Sequence, residues 1–345
     1  MTGRAVLALL IVVAFLAFAA PIRARTPDCQ ACHAEPALKR VLQNGRTQSL
    51  YVDGDQVRSS VHGDRACVDC HADAKDGPHT VAPAPVNCTR CHYKDSGAGV
   101  PQTGAYEAYK RSVHGKAVAN GDPKAPACQD CHGSHGIRSH SDPLAQVARP
   151  NVPATCGACH LEAYAQYRAS IHGAGAEDGN VDVPVCTGCH SEHGILSRKD
   201  PSSSTYVANV SGMCARCHAA EAIVGKYGIE AGQVDSYDES YHGVSIRAGD
   251  RTVANCASCH GIHNIRSPED PASSVHIDNI PQTCGKCHPG ADASFARGKI
   301  HARPTSPESG IVFYAATFFK WLTILTVCGL ITHILLDLVR KIRAR

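Results

Sequence analysis

The chain has 345 residues, with 34 Lys and Arg against 31 Asp and Glu, 19 Cys, 21 His, one Trp and six Phe. A formal charge of +3 gives no footing to a nucleic-acid-binding reading. Cysteine at this density leaves three alternatives, a disulfide framework, structural zinc or covalently held haem, and the spacing separates them.

Residues 1–24 read as a secretory signal peptide: Arg4, an apolar run over 5–20, then Ile22-Arg23-Ala24 as a cleavage site. That run is short for a membrane span, so cleavage and export are expected. From Cys29 onward, eighteen of the cysteines fall into nine CxxCH motifs. The pairs are Cys29 and Cys32, Cys67 and Cys70, Cys88 and Cys91, Cys128 and Cys131, Cys156 and Cys159. Cys186 and Cys189, Cys214 and Cys217, Cys256 and Cys259, and Cys284 and Cys287 follow, which leaves Cys328 over. The histidines closing the motifs are His33, His71, His92, His132, His160, His190, His218, His260 and His288. Structural zinc explains paired cysteines but not a histidine after every pair. A disulfide framework demands neither the spacing nor the histidine. CxxCH is the attachment sequence for c-type haem: two thiols add to the porphyrin vinyl groups and the adjacent His meets the iron. About nine covalent c-type haems are therefore expected.

After the solitary motif at Cys29 comes a repeat in four copies, from about residues 60, 112, 170 and 240. The copies open at Ser60-Val61-His62-Gly63, Ser112-Val113-His114-Gly115, Ser170-Ile171-His172-Gly173 and Ser240-Tyr241-His242-Gly243. In the last three, fourteen positions separate that His from the next Cys, and the second motif begins 28 residues after the first. Another His follows the proximal one by three, at His135, His193 and His263. The first copy departs from this: His62 precedes Cys67 by five, and His79 takes the place of the extra histidine. Gly121-Asp122-Pro123, Asp142-Pro143, Lys199-Asp200-Pro201 and Glu269-Asp270-Pro271 are turn signals. Short helices are expected over 105–112 and 161–170, with coil between and almost no sheet. About 32 residues per haem is too little chain for an ordinary side-chain core. The expected fold is thus mostly coil with short α-helices wrapped around stacked c-type haems, residues 25–300 forming one haem domain. Its charge should fall once the propionates are bound, many of them paired with Lys and Arg.

Residues 301–312 read as a linker and 313–339 as a single C-terminal transmembrane helix. Phe318, Phe319, Lys320 and Trp321 form an interfacial belt, and Arg340, Lys341, Arg343 and Arg345 a basic tail over 340–345. The positive-inside rule puts that tail in the cytoplasm, and so the haem domain in the periplasm of a single-pass inner-membrane protein. His333 is an ionisable group inside the span: a ligand for a b-type haem shared with a partner, the wall of a quinone site, or an interfacial histidine. Cys328 reads as a small apolar residue.

A six-coordinate iron needs a second axial ligand. The SxHG residues His62, His114, His172 and His242, the plus-three residues His135, His193 and His263, and His79 and His301 supply nine distal candidates. His140, His276 and His333 are spare. His135 lies too close in sequence to His132 to reach the far face of the same porphyrin. It is expected, like His193 and His263, to serve a neighbouring haem.

The SxHG, CxxCHGxHxI and PxTCGxCH blocks resemble those of the paired-CxxCH multihaem cytochromes c of respiring bacteria, over roughly residues 29–301. The tail resembles the junction at which such cytochromes meet a membrane cytochrome b, as in quinone-linked bc complexes. The resemblance implies electron transfer between the quinone pool and periplasmic or outer-surface acceptors, with no catalytic residue. It also implies a quinone-linked cytochrome b-type subunit and periplasmic or outer-membrane cytochromes as partners. The competing class is a multihaem enzyme of the nitrite reductase or hydroxylamine oxidoreductase type. That chemistry needs an iron with one open position, and the histidine count leaves none obviously vacant.

Overall fold

The computed structural model describes residues 28–42, 45–74, 79, 81–93, 96, 104–294, 300–303 and 305–344. The expected signal peptide, residues 1–24, lies outside them. The chain divides into two compact units, residues 1–103 with 132–139, and residues 104–131 with 140–345.

In the first unit the solitary motif forms the helical turn Gln30–His33. The antiparallel hairpin Lys39–Val41 with Thr47–Ser49, Arg40 opposite Gln48, is the one sheet among the described residues. Asp53 caps the helix Gly54–Arg58 by accepting the N–H groups of Asp55 and Gln56.

The second unit repeats one local design three times. A short helix, Ala105–Arg111, Leu161–Arg168 or Gln233–Glu239, runs up to the SxHG serine. A second helix then starts, Val113–Ala119, Ile171–Glu177 or Tyr241–Arg247. The serine is its N-cap: Ser112, Ser170 and Ser240 accept the N–H of Gly115, Gly173 and Gly243. Each such cap contributes about 1 kcal/mol. The glycine is fixed by close approach. A Cβ at Gly115, Gly173 or Gly243 would lie 2.1, 1.9 or 2.3 Å from the carbonyl oxygen of Tyr109, Tyr167 or Tyr237. The same holds in the first unit, where a Cβ at Gly63 would lie 2.2 Å from Arg58 O. SxHG is therefore a helix start pressed onto the end of the preceding helix, with the histidine held rigidly between cap and contact.

Three further bonds recur. The phenols of Tyr109, Tyr167 and Tyr237 donate to the carbonyls of Pro126, Pro184 and Ala254, each two residues before a CxxCH cysteine. The side-chain amides of Asn151, Asn209 and Asn279 each donate to two carbonyls of the turn after the Asp-Pro step. The backbone also stitches one copy to the next. Val113 N–H donates to Ile195 O and Ile171 N–H to Ile265 O, both at 2.8 Å. In the first unit, Val61 N–H donates to Ile137 O at the same distance.

Buried apolar side chains among the described residues are small: Ala145, Ala148, Val152, Val185, Val210, Val224, Ile246 and Ile280. None is aromatic, and the most deeply buried side chains are those of Ser112 and Ser273. Such an interior cannot by itself hold a chain of this length together, as the residue count per motif anticipated.

Ile311–Arg343 is a helix of 33 residues, about 50 Å long. It is long and apolar enough to cross a membrane, and nothing among the described residues covers it. It starts two residues before the expected span and takes in most of the basic tail. Asp337 holds that end, pairing with Arg340 at 3.2 Å and Lys341 at 2.8 Å. The hydroxyls of Thr323, Thr326 and Thr332 donate to carbonyls four residues back, so they are satisfied in apolar surroundings.

Candidate haem sites

Each motif lies on a helical turn, for example Cys186–His190 and Cys256–His260, so both thiols and the histidine share one face. None of the 19 cysteines is in a disulfide. Among the described residues no three His, Cys, Asp or Glu side chains converge as a metal cluster.

The structure instead brings histidines together in twos. Within the first unit the ring centroids of His33 and His79 are 6.2 Å apart, those of His62 and His92 5.8 Å, and those of His71 and His135 6.2 Å. In the second unit His114 and His160 are 6.1 Å apart, His172 and His218 6.2 Å, and His190 and His263 6.0 Å. His242 and His288 stand at 6.1 Å, and His260 and His301 at 6.2 Å. Each pair joins one motif histidine to one distal candidate. Iron–nitrogen bonds of about 2 Å on both sides, plus the half-width of each ring, set opposed centroids about 6 Å apart. The residues present therefore fit an iron porphyrin between each pair. His132 and His193 complete the proximal and distal sets.

The pairing follows a rule. An SxHG histidine faces the second motif of its own copy. The plus-three residues His135 and His263 face the first motif of the copy before theirs, at His71 and His190. His79 and His301 close the two ends of the series. His276 does something else: its Nδ1 accepts Asp278 N–H at the start of the turn Ile277–Asn279.

Electrostatics suits ligation, which requires a neutral imidazole. Burial pushes His172 down to about 4, and lowers His62, His114, His135, His190, His218, His242, His260, His263 and His301 in the same direction. Backbone carbonyls orient several rings. The Nδ1–H of His33 donates to Leu50 O at 2.7 Å, and that of His79 to Val81 O at 3.2 Å. His301 Nδ1 lies 3.1 Å from Gln233 O and 2.9 Å from Ser236 Oγ. In each case Nε2 keeps the lone pair.

Successive motifs are also neighbours in space. The thiols of Cys29 and Cys67, of Cys156 and Cys186, and of Cys214 and Cys256 hydrogen-bond. Cys70 with Cys88, Cys131 with Cys156, Cys189 with Cys217, and Cys259 with Cys284 lie within electrostatic reach. Within each unit the sites thus form a series that follows the sequence. Sequence reasoning missed the tyrosine and asparagine bonds that support this series. Their signal was available: Tyr109, Tyr167 and Tyr237 each stand three residues before the SxHG serine, and each asparagine five before a cysteine.

No protein-family profile matches the chain, and no solved structure matches it. Over 126 residues, 36% of the chain, it is 27% identical to a protein of Kuenenia stuttgartiensis described as a probable nitrite reductase-hydroxylamine oxidoreductase fusion protein. The chain spans 12% of that relative's length. Together with the paired cysteines, this likeness supports a multihaem cytochrome in general terms.

Proposed function

We propose that the chain is a membrane-anchored nonahaem cytochrome c on the periplasmic side of the inner membrane. It relays electrons between a quinone-linked cytochrome b-type subunit and periplasmic or outer-membrane cytochromes. The observation that carries this reading is the set of imidazole pairs, all at the spacing one iron requires. Bound haem supplies a one-electron ferric–ferrous couple. The chain's residues supply the rest. The eighteen motif cysteines would fix the porphyrins covalently, two to each, and the paired histidines would ligate the irons. The SxHG caps and the Nδ1 bonds keep those rings still, so an electron can arrive and leave with little ligand movement. Within each unit, contacts between consecutive motifs keep neighbouring sites close enough for tunnelling. His333, in the uncovered helix, is the residue that would take a b-type haem shared with the partner.

The test is a pyridine haemochrome count with electron paramagnetic resonance on the purified protein. Nine haems per chain, all low-spin, are expected; a clearly smaller number would sink the reading. The second reading is an enzyme of the kind named for the Kuenenia stuttgartiensis relative. An abundant five-coordinate, high-spin ferric signal would favour it.

A further inference from the structure

The hairpin Lys39–Val41 with Thr47–Ser49 belongs to none of the four copies, and its edge is open. Leu42 N–H donates to Arg46 O at 2.8 Å and Leu50 N–H to Leu38 O at 2.9 Å, which fixes the ladder. By alternation, the N–H and C=O groups of Lys39 and Val41 point outward. Neither N–H meets an acceptor among the described residues. A two-stranded ribbon is marginal by itself. Both strands are also largely solvated: Lys39, Thr47, Gln48 and Ser49 are exposed, and Val41 is 73% exposed. An edge of this kind can take a further strand.

Charge says which strand. Between Glu35 and Asp53 the chain carries Lys39, Arg40 and Arg46 and no carboxylate. Arg40 donates to the neutral amide of Gln48 at 2.8 Å, and no carboxylate of the described residues pairs with Lys39 or Arg40. Over residues 53–300 carboxylates outnumber cations, and the propionates would add to them. The hairpin is thus a basic segment in an acidic chain, repelling basic strands and suiting one rich in Asp and Glu.

The hairpin is also tied to the first motif. His33 Nδ1–H donates to Leu50 O, and Val52 N–H donates to His33 O, both at 2.7 Å. A strand added beside Lys39–Val41 would lie about 10 Å, two strand spacings, from the segment that holds the His33 ring.

We propose that the Lys39–Val41 edge docks an acidic one-electron carrier protein through an extended segment of that protein, and that an electron crosses there to the His33–His79 site. The crossing rests on the multihaem reading above; the docking does not. In the step, one electron leaves the reduced carrier and takes a ferric iron to ferrous, with no bond made or broken and no proton moved.

The experiment uses the full, haem-loaded protein in detergent. The first probe is a short, end-capped peptide alternating Glu with Val. Calorimetry at low salt should show it binding, more weakly as salt rises, while its Lys–Val counterpart does not bind. Lys39→Glu with Arg40→Glu should weaken binding about tenfold or more. Val41→Pro, which removes an outward N–H and leaves charge and ladder alone, should do the same. Val41→Thr and a distant charge reversal, Lys124→Glu, should bind as the parent does. The second probe is a reduced plant-type ferredoxin, a small acidic iron–sulfur protein. Its reduction of haem in stopped flow should be slowed by the peptide and by the double reversal. Peptide binding that the hairpin variants keep, or ferredoxin reduction that the peptide does not slow, overturns the proposal. A haem count clearly below nine would instead refute the multihaem reading, so the two failures are distinguishable.

Discussion

Gly173→Ala is the sharpest test of why the SxHG turn is built as it is. The new Cβ would sit 1.9 Å from Tyr167 O and 2.7 Å from its carbonyl carbon, and contacts below 3.0 Å are essentially never seen. Backbone, not a flexible side chain, is in the way, so the start of helix Ile171–Glu177 has to retreat by about 1 Å. Overpacking of this kind costs about 1–3 kcal/mol, and a loosened Ser170 cap adds about 1 kcal/mol. His172 rides on the same turn, 6.2 Å from His218. Metal ligation tolerates errors of only about 0.2 Å, so the haem at Cys214 should lose its distal ligand. The assay is thermal unfolding with electron paramagnetic resonance. A melting temperature lower by several degrees and one high-spin haem per chain are expected, with haem content unchanged. Gly225→Ala is the control. Nothing lies within 4 Å of a Cβ there, mid-way along helix Glu221–Tyr227, so a gain of about 0.5–1 kcal/mol is expected. A Gly173→Ala protein that stays wholly low-spin and melts with the parent would refute the close-approach argument.

Three further outcomes are expected. His263→Ala combined with His190→Ala should disturb one haem in the resonance spectrum, whereas His263→Ala with His260→Ala should disturb two; the reverse count would break the cross-copy pairing. Ser191 has φ +66° and ψ −178°, where Gly133 and Gly261 stand after the equivalent motifs, so Ser191→Gly should stabilise the protein by about 1–3 kcal/mol in denaturant titration. Hydrogen bonds from Lys226 and Tyr227 hold the Asp182 carboxyl below its ordinary range. The stability it contributes is present above the unfolded carboxylate pKa and is lost as pH falls through the lowered one, so Asp182→Asn should flatten the acid side of the stability profile. An acid limb identical in both proteins would contradict that assignment.

The chemistry of this chain is written on its surface. CxxCH and SxHG are local patterns of five and four residues, so spacing alone exposed the repeat, and Ala105–Arg111 and Leu161–Arg168 are helices where the pattern placed them. The partner of each distal histidine is another matter. His79 lies eight residues after His71, and nothing local says which motif it serves; its ring stands 6.2 Å from that of His33. Pairing is decided by how copies pack, through contacts such as Ile171 N–H to Ile265 O that span some ninety residues. No local pattern carries that information. The limits of the last helix were also illegible, because Arg340 and Lys341 signal the end of an apolar span but continue the backbone, tethered by Asp337.

The stitch between copies bears on how such a chain can change in length. Duplicating the third copy would keep its SxHG pair, which lies within one copy, and would let each plus-three histidine meet the first motif of the copy before it, as His263 meets His190. Trimming either extremity strands one, because His79 and His301 are bookends with no counterpart inside the array. Growth from within is therefore the cheap route for this architecture, and erosion from the ends the damaging one.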